Sequence, residues 1–366
     1  MLAAYQNIPL RGHRDEGKLK TDGIPPPEND GNFRALLRYR LRGGDQTLKR
    51  HLDECPNNAQ YISKRVQNEI LEVGKSLILE TVVDKVDKAG VWSIMADETT
   101  DRANREQMVL VARYVDKEGD DLVVREDPIA LLDVLKTLRK SGSGSETEVK
   151  MSGANLTQVL TERVRKLGLD FSKLVGQCYD GAPSMASEKV GVAAGVKSEA
   201  PLSHYFHCAV HAVNLSTSLI RKVPFVRNAL DNMETIITFV TDGAKREDIL
   251  SYAQTQKLDS SKRHKLVKLC QTRFVERHVA VERFCEQLSA IVLALRTIST
   301  WDESRSSSKA AMFLHTISMT EFLVGVFVAE KLAGILRPLA LALQEKGADL
   351  VKALDLGPIR VGALRP

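Results

Sequence analysis

The run Val91-Trp92-Ser93-Ile94-Met95-Ala96, followed at once by Asp97-Glu98-Thr99-Thr100-Asp101, decides how this chain is read. A short, largely apolar segment that opens after Gly90 and closes on carboxylates has the form of a buried strand carrying acid groups to the end of a sheet. Downstream, Gln107–Val115 is rich in β-forming residues, and Leu122–Val124 and Ile129–Val134 are expected as further strands. Phe171–Cys178 repeats the first pattern, an apolar run leading into Tyr179-Asp180-Gly181, and His204–Cys208 is a short fifth candidate. The two runs that lead into an aspartate are expected to be neighbours in one sheet.

Helical spacing surrounds these strands. Asn32–Leu52 and Ala59–Lys88 are expected to be helical, with Val66, Ile70, Val73 and Leu77 recurring at steps of four and three and Leu71, Ile78 and Val82 widening the same face. Pro56-Asn57-Asn58 separates the two. Leu156–Leu167 and Ser187–Ser198 also have helical character, and Ser141–Ser145 is Ser/Gly alone and must be a loop. Beyond Ala209 the strand signal fades, and Val223–Tyr252, Val279–Ile298 and Phe313–Leu343 are expected as helices. The expected architecture is a mixed α/β core followed by an all-helical region. Its segments are a disordered leader at 1–31, a helical region at 32–90, the core at 91–208, helices at 209–353 and an irregular tail at 354–366.

The chain has 366 residues, 43% hydrophobic and 27% charged, which suits a globular protein of about two domains and excludes a collagen-like, rod-like or wholly disordered chain. Lys and Arg number 52 against 47 Asp and Glu, a net charge of +5. This mild basicity is compatible with nucleic acid without pointing to it. No apolar run reaches the ~18 residues of a membrane span, and Met1–Asp15 lacks the form of a secretory signal. Five scattered cysteines fit reduced thiols better than a disulfide framework.

Asp97 and Asp180 are the candidate catalytic pair. Carboxylates at the carboxyl ends of neighbouring strands converge where open sheets bind ligands. Their repulsion is relieved by Mg²⁺, which takes oxygen ligands and keeps several waters. Two such ions about 3.5–4 Å apart support in-line attack at a phosphodiester. Both aspartates also lie in good turn sequences, where short polar side chains bond nearby backbone, so a purely structural role stays open. Cys208 and His211 have the spacing of half a zinc site, but a closed site needs four ligands. Zinc is therefore not expected, and both side chains are expected to face the interior. Arg273, Phe274 and Arg277 form a basic and aromatic set that can grip a phosphate and stack on a base, or simply an ordinary helix start. Gly191–Ser198 imitates a nucleotide loop, but three residues rather than four separate its glycines and Val196 precedes the lysine.

Taken in order, Ala96-Asp97-Glu98-Thr99-Thr100-Asp101, Gly176-Gln177-Cys178-Tyr179-Asp180-Gly181-Ala182, His207-Cys208-Ala209-Val210-His211-Ala212-Val213-Asn214-Leu215 and Thr272-Arg273-Phe274-Val275-Glu276-Arg277 resemble the hAT-type transposases and the transposon-derived host proteins of the zinc finger MYM-type kind. Gln6–Arg14, Asn32–Leu37, Asn58–Ser63 and Gln67–Ile70 extend the likeness to about residues 5–350. The resemblance implies a ribonuclease-H-like core interrupted by a long helical insertion, with Asp97 and Asp180 as the first two catalytic carboxylates. It also implies a third carboxylate, a Glu on a helix after the insertion; Glu321, Glu330 and Glu345 do not match that position. Phe274 stands where the family commonly has Trp, which keeps an aromatic face but loses the N–H donor.

These departures lead to the expectation of a truncated or domesticated transposase-like protein. It would be catalytically inactive, nuclear, and act through DNA or protein binding. The alternatives are an active Mg²⁺-dependent transposase whose third carboxylate lies in a longer product, and a gene fragment without a selected role. Self-association or a protein partner is also expected. The stripe Phe313, Leu314, Phe322, Leu323, Val326, Phe327, Leu332, Ile335 and Leu336 would be left exposed if its packing elements were missing.

Overall fold

Glycine pairs and capping side chains set the first helices. The computed structural model describes residues 2–19, 26–56, 59–101, 103–140, 149–269 and 274–345, and the chain divides into two units, Met1–Lys88 and Ala89–Pro366. The first unit carries α1 (Leu2–Tyr5), α2 (Asn32–Arg42), α3 (Gln46–Glu54) and α4 (Lys64–Ala89). The single helix expected over Asn32–Leu52 is two, because Gly44 takes φ +88° and the Asp45 side chain then caps α3 by accepting the Leu48 N–H at 2.9 Å. Leu19, Leu52 and Ile62 form a small core, with Phe33, Leu37, Leu41 and Leu48 packed against it.

The described parts of the leader, 2–19 and 26–31, differ from the disorder expected over 1–31. Arg34, on α2, donates to the carbonyls of Asp15, Gly17 and Lys18 at 3.2, 3.0 and 2.9 Å and to the Asp30 carboxylate at 3.0 Å. Arg38 grips the same carboxylate at 2.7 and 2.6 Å. Two arginines one helical turn apart thus fasten Asp15–Lys18 and Asp30, parts of a segment that composition alone reads as loose. On α4, Val82 and Val86 are buried, whereas Ile70, Leu71, Val73, Leu77 and Ile78, expected on the packed face, are exposed.

The second unit begins with a five-stranded sheet: β1 (Trp92–Thr100), β2 (Glu106–Glu118), β3 (Asp121–Asp133), β4 (Leu174–Tyr179) and β5 (His204–His207), in spatial order β3-β2-β1-β4-β5. β1, β2 and β3 are antiparallel, while β4 and β5 run parallel to β1. β1 outruns the apolar stretch because Asp97, Glu98, Thr99 and Thr100 pair with Val109, Met108, Gln107 and Glu106. The segments Leu122–Val124 and Ile129–Val134 are one strand, since the charged residues between them also pair with β2: Glu126 lies opposite Arg113 in an ion pair, and Asp127 accepts the Tyr114 hydroxyl at 2.7 Å. Pro128 sits beside a register shift on β3, and the neighbouring Ile129 is fully buried.

Helices α5 (Val134–Lys140), α6 (Gly153–Lys166), α7 (Pro183–Ala186) and α8 (Val192–Glu199) accompany the sheet. Ile94, Met108, Leu110, Leu138, Leu156, Leu160, Leu174 and Val196 are buried in this part of the chain. Trp92, also buried, donates its Nε1–H to the Asp170 carbonyl at 3.1 Å. The expected loop at Ser141–Ser145 and the tail at 354–366 lie outside the described residues.

After β5 come α9 (Ala209–Ser218), α10 (Pro224–Thr241), α11 (Ala244–Lys257), α12 (Phe274–Glu286), α13 (Leu288–Ser299), α14 (Ser304–Ser318) and α15 (Thr320–Ala342). Each long helix expected here is a pair. The Val223–Tyr252 stretch breaks at Gly243, whose φ is +102°. These helices share one core built on Met233, Ile236, Ile237, Phe284, Ile291, Leu295 and Ile298. Phe313, Phe322 and Val326 belong to it, with Leu314 and Leu323 packed alongside. Of the nine residues of the stripe expected to be exposed, three are therefore buried and four half-buried, while Phe327 and Ile335 stay exposed. α10 and α15 pack closely at Gly325, where a Cβ would come within 2.6 Å of Ala229 Cβ. Among the described residues, no single helix is long and apolar enough to cross a membrane.

Candidate active site

Parallel pairing of β1 with β4, in which Met95 faces Cys178, brings the two strands to the same end of the sheet. Asp97 lies inside β1, two residues past that pair, and is exposed. The expectation that it follows the strand is corrected: the longer β2 carries the pairing on to Thr100. Asp180 is the first residue after β4 and is half-buried. Its Oδ1 accepts the Ala182 N–H at 3.2 Å, the turn that its flanking sequence favours, and its carbonyl accepts the Tyr205 hydroxyl at 3.0 Å.

Sequence reading passed over another carboxylate on the same strand, Glu98. Glu98 follows Ile94 and Ala96 on the buried face of β1, and its Oε1 is buried without a hydrogen-bond partner. Burial raises its pKa, and the charges of Asp180, Glu106 and Asp97, in that order, raise it further. Strand alternation from Ile94 was the signal that would have found it. Among the described residues no three His, Cys, Asp or Glu side chains form a group able to hold a metal ion. Asp97 and Asp180 carry oxygen donors of the kind Mg²⁺ takes, and Glu98 Oε1, on the other face of β1 from Asp97, is buried without a hydrogen-bond partner.

Next to this edge the chain turns from β5 into α9. The Cys208 N–H donates to the Tyr179 carbonyl at 2.9 Å, extending the β4–β5 ladder by one step, and the Cys208 carbonyl then accepts the Ala212 N–H at 2.9 Å as the helix begins. Interaction with the Cys178 thiol, with the Val210 and His211 N–H groups and with the His211 charge lowers the pKa of Cys208. Cys178 is correspondingly pushed up, first by that interaction and then by burial. Cys208 and His211, expected to face the interior, are half-buried, as is Cys178. The rings of His211 and His207 lie 6.0 Å apart. Gly181 lets the chain pass His207, since a Cβ there would lie 2.7 Å from the ring.

Arg273 lies outside the described residues; Phe274 and Arg277 are in the first turn of α12. Gly191 starts α8, so the segment resembling a nucleotide loop is a plain helix start.

Residues 2–191 match the family model described as DUF4371: ZMYM1/FAM200, RNase-like domain. Over 358 residues the chain is 26% identical to the Homo sapiens "52 kDa repressor of the inhibitor of the protein kinase", covering 96% of this chain and 44% of that protein. The Mus musculus protein of the same name is 26% identical over 361 residues, with the same coverage. A stretch of 169 residues is 27% identical to the Bos taurus "General transcription factor II-I repeat domain-containing protein 2", covering 44% of this chain and 15% of that protein. The chain thus spans less than half the length of these curated relatives.

Proposed function

The chain belongs to the DUF4371 family (ZMYM1/FAM200, RNase-like domain), and on that basis we propose that it is a transposase-derived protein of the hAT type, acting in the nucleus by binding DNA or protein rather than by cutting DNA. One observation supports this reading: Asp97 and Asp180 stand at the same end of neighbouring parallel strands, while Glu98 lies on the other face of β1 from Asp97 and, among the described residues, no three such groups come together as a metal site. Two-metal phosphodiester chemistry needs both ions held in fixed relation to the attacking and leaving oxygens. A pair of carboxylates, one of them exposed and one engaged in its own turn, holds one hydrated Mg²⁺ weakly. When bound, that ion would neutralise the acidic end and polarise a phosphate oxygen. The chain's own residues supply the negative charge at this end of the sheet and the turn that fixes Asp180. The repressor wording in the relatives' names supports a regulatory, nuclear role.

The test uses the full chain with supercoiled plasmid and with labelled duplex, in Mg²⁺ and in Mn²⁺. DNA binding without nicking or joining is expected. Nicking that is lost in both Asp97→Ala and Asp180→Ala would establish the alternative, an active transposase core.

A further inference from the structure

The stretch Leu258–Leu269 carries four cations, Lys262, Arg263, Lys265 and Lys268, against one acid, Asp259, in a chain whose whole net charge is +5. It lies between α11 and α12, and from Arg263 to Leu269 it is neither helix nor strand. Leu266 and Leu269 are buried in the helical core, with Leu258 and Val267 packed against it. The four cations and His264 are exposed. Apolar anchors below and cations above make this stretch a ridge rather than a loose loop.

Its backbone is tied down. Gln287, fully buried, donates its Nε2 amide to the His264 carbonyl at 2.8 Å and accepts the Gln254 amide at 2.6 Å. Arg283 donates to the Lys265 carbonyl at 2.9 Å, and Arg263 reaches back to the Leu258 and Thr255 carbonyls at 2.9 and 3.3 Å. Elsewhere Lys49, Arg65, Lys75 and Lys88 each meet a carboxylate three or four residues away on their own helix. On the ridge, among the described residues, Lys265 alone is in an ion pair, with Glu247 at 3.8 Å, and both side chains are exposed. A surface pair of this kind holds little energy and exchanges readily.

We propose that Lys262, Arg263, Lys265 and Lys268 form a ridge that grips the phosphate backbone of duplex DNA. The inference rests on the DNA-binding arm of the proposed function and puts that contact on the segment between α11 and α12 rather than at Asp97 and Asp180. Cations spaced along a non-helical chain meet a row of phosphates, one per about 3.4 Å of axis on each strand, and each contact releases condensed counterions. Because the backbone is tied before DNA arrives, only side chains are ordered on binding, which limits the entropic cost. A duplex suits the ridge better than a single strand, since Leu258–Leu269 holds no Phe, Tyr or Trp on which unpaired bases could stack. Phosphate contacts read no bases, so the ridge holds DNA of any sequence.

The experiment measures binding of the full chain to a labelled duplex by fluorescence anisotropy, from about 50 to 200 mM salt. Combining Lys262→Ala, Arg263→Ala, Lys265→Ala and Lys268→Ala should weaken binding roughly tenfold or more at ~50 mM salt and lower the slope of log K against log salt by about 2–4. A control chain with Lys136→Ala, Arg139→Ala, Lys189→Ala and Lys222→Ala loses the same charge from scattered exposed positions of the same unit, and should weaken binding by no more than about threefold. A second measurement needs no variant. Acetylation of the wild-type chain with and without duplex should show Lys262, Lys265 and Lys268 protected by DNA, and Lys136, Lys189 and Lys222 not. If DNA binds yet the two neutralised chains weaken alike, or the ridge lysines gain no protection, this proposal falls while the DNA-binding reading stands. Tighter binding to a single strand of the same length would also overturn it. If the wild-type chain fails to bind duplex even at ~50 mM salt, the DNA-binding reading falls with it.

Discussion

Glu98 is a carboxyl group in a place that suits it better without its charge. Its pKa is raised in the folded chain by burial and by Asp180, Glu106 and Asp97. A raised carboxyl stabilises the fold at low pH, below the pKa of the unfolded chain, and loses that contribution as pH climbs through the folded value. At pH 7 it is therefore a burden. Glu98→Gln keeps the shape and removes the charge, and should stabilise the chain by roughly 0.5–1 kcal/mol after allowing for the solvent that still reaches the side chain. That corresponds to a melting temperature about 1–3 °C higher at pH 7, with little change at pH 4; a lower melting point at pH 7 would mean the carboxylate is a structural partner. Asp30 behaves in the opposite sense. The hydrogen bond from Arg38, aided by that from Arg34, holds its pKa below the usual value, so its contribution is present at neutral pH and lost as pH falls through the depressed folded value. Asp30→Ala leaves two arginines without their buried partner, and should cost about 3 kcal/mol of the first unit's stability by urea titration at pH 7. Asp97 and Asp180 were legible in the sequence because each follows an apolar run. Asp30 was not, since no local pattern shows that Arg34 and Arg38 reach back to it.

Between elements, the tightest approach lies at the start of α6. A Cβ on Gly153 would run into the Val190 carbonyl oxygen and lie 2.8 Å from that of Ser184, both backbone atoms that cannot swing aside. Gly153→Ala must therefore push α6 away from the chain between α7 and α8, and should cost about 2–3 kcal/mol, read as a lower urea midpoint. Gly168→Ala has no such neighbour but carries φ +76°, so its cost is backbone strain alone, about 1 kcal/mol. Comparing the two separates crowding from conformation. At this scale the apolar strands were legible, and so was the adjacency of β1 and β4. What escaped is the polar part of each strand. Asp97–Thr100 and Arg125–Asp127 hold β structure through partners on β2 rather than through their own composition. On α4, helical period foretold an apolar stripe at Ile70, Val73 and Leu77, but period reports amphipathicity and does not supply a partner.

For the whole molecule, a net charge of +5 over 366 residues gives modest attraction to DNA. Binding to a duplex of arbitrary sequence should be weak, with a Kd of about 10 µM or above at 150 mM salt, and should loosen further as salt rises; fluorescence anisotropy across a salt series measures both. Affinity that stays tight and flat with salt would mean recognition by base contacts or shape instead. The helical half was legible as helical from its composition, but its division into pairs was not, because one residue such as Gly243 redirects the chain without disturbing the apolar pattern on either side. The outer strand β3 has a consequence of its own. It is 13 residues long, lies at the border of the sheet, and shows Leu122 and Leu131 to solvent. A straight, uncharged strand of that length would be a template on which another chain could be laid, and then another, as a growing fibril. Pro128 lacks the amide that the next strand would need, the adjoining shift bends the ladder, and Arg125, Glu126 and Asp127 put charge in the middle. These features set the border of the sheet against cross-β growth.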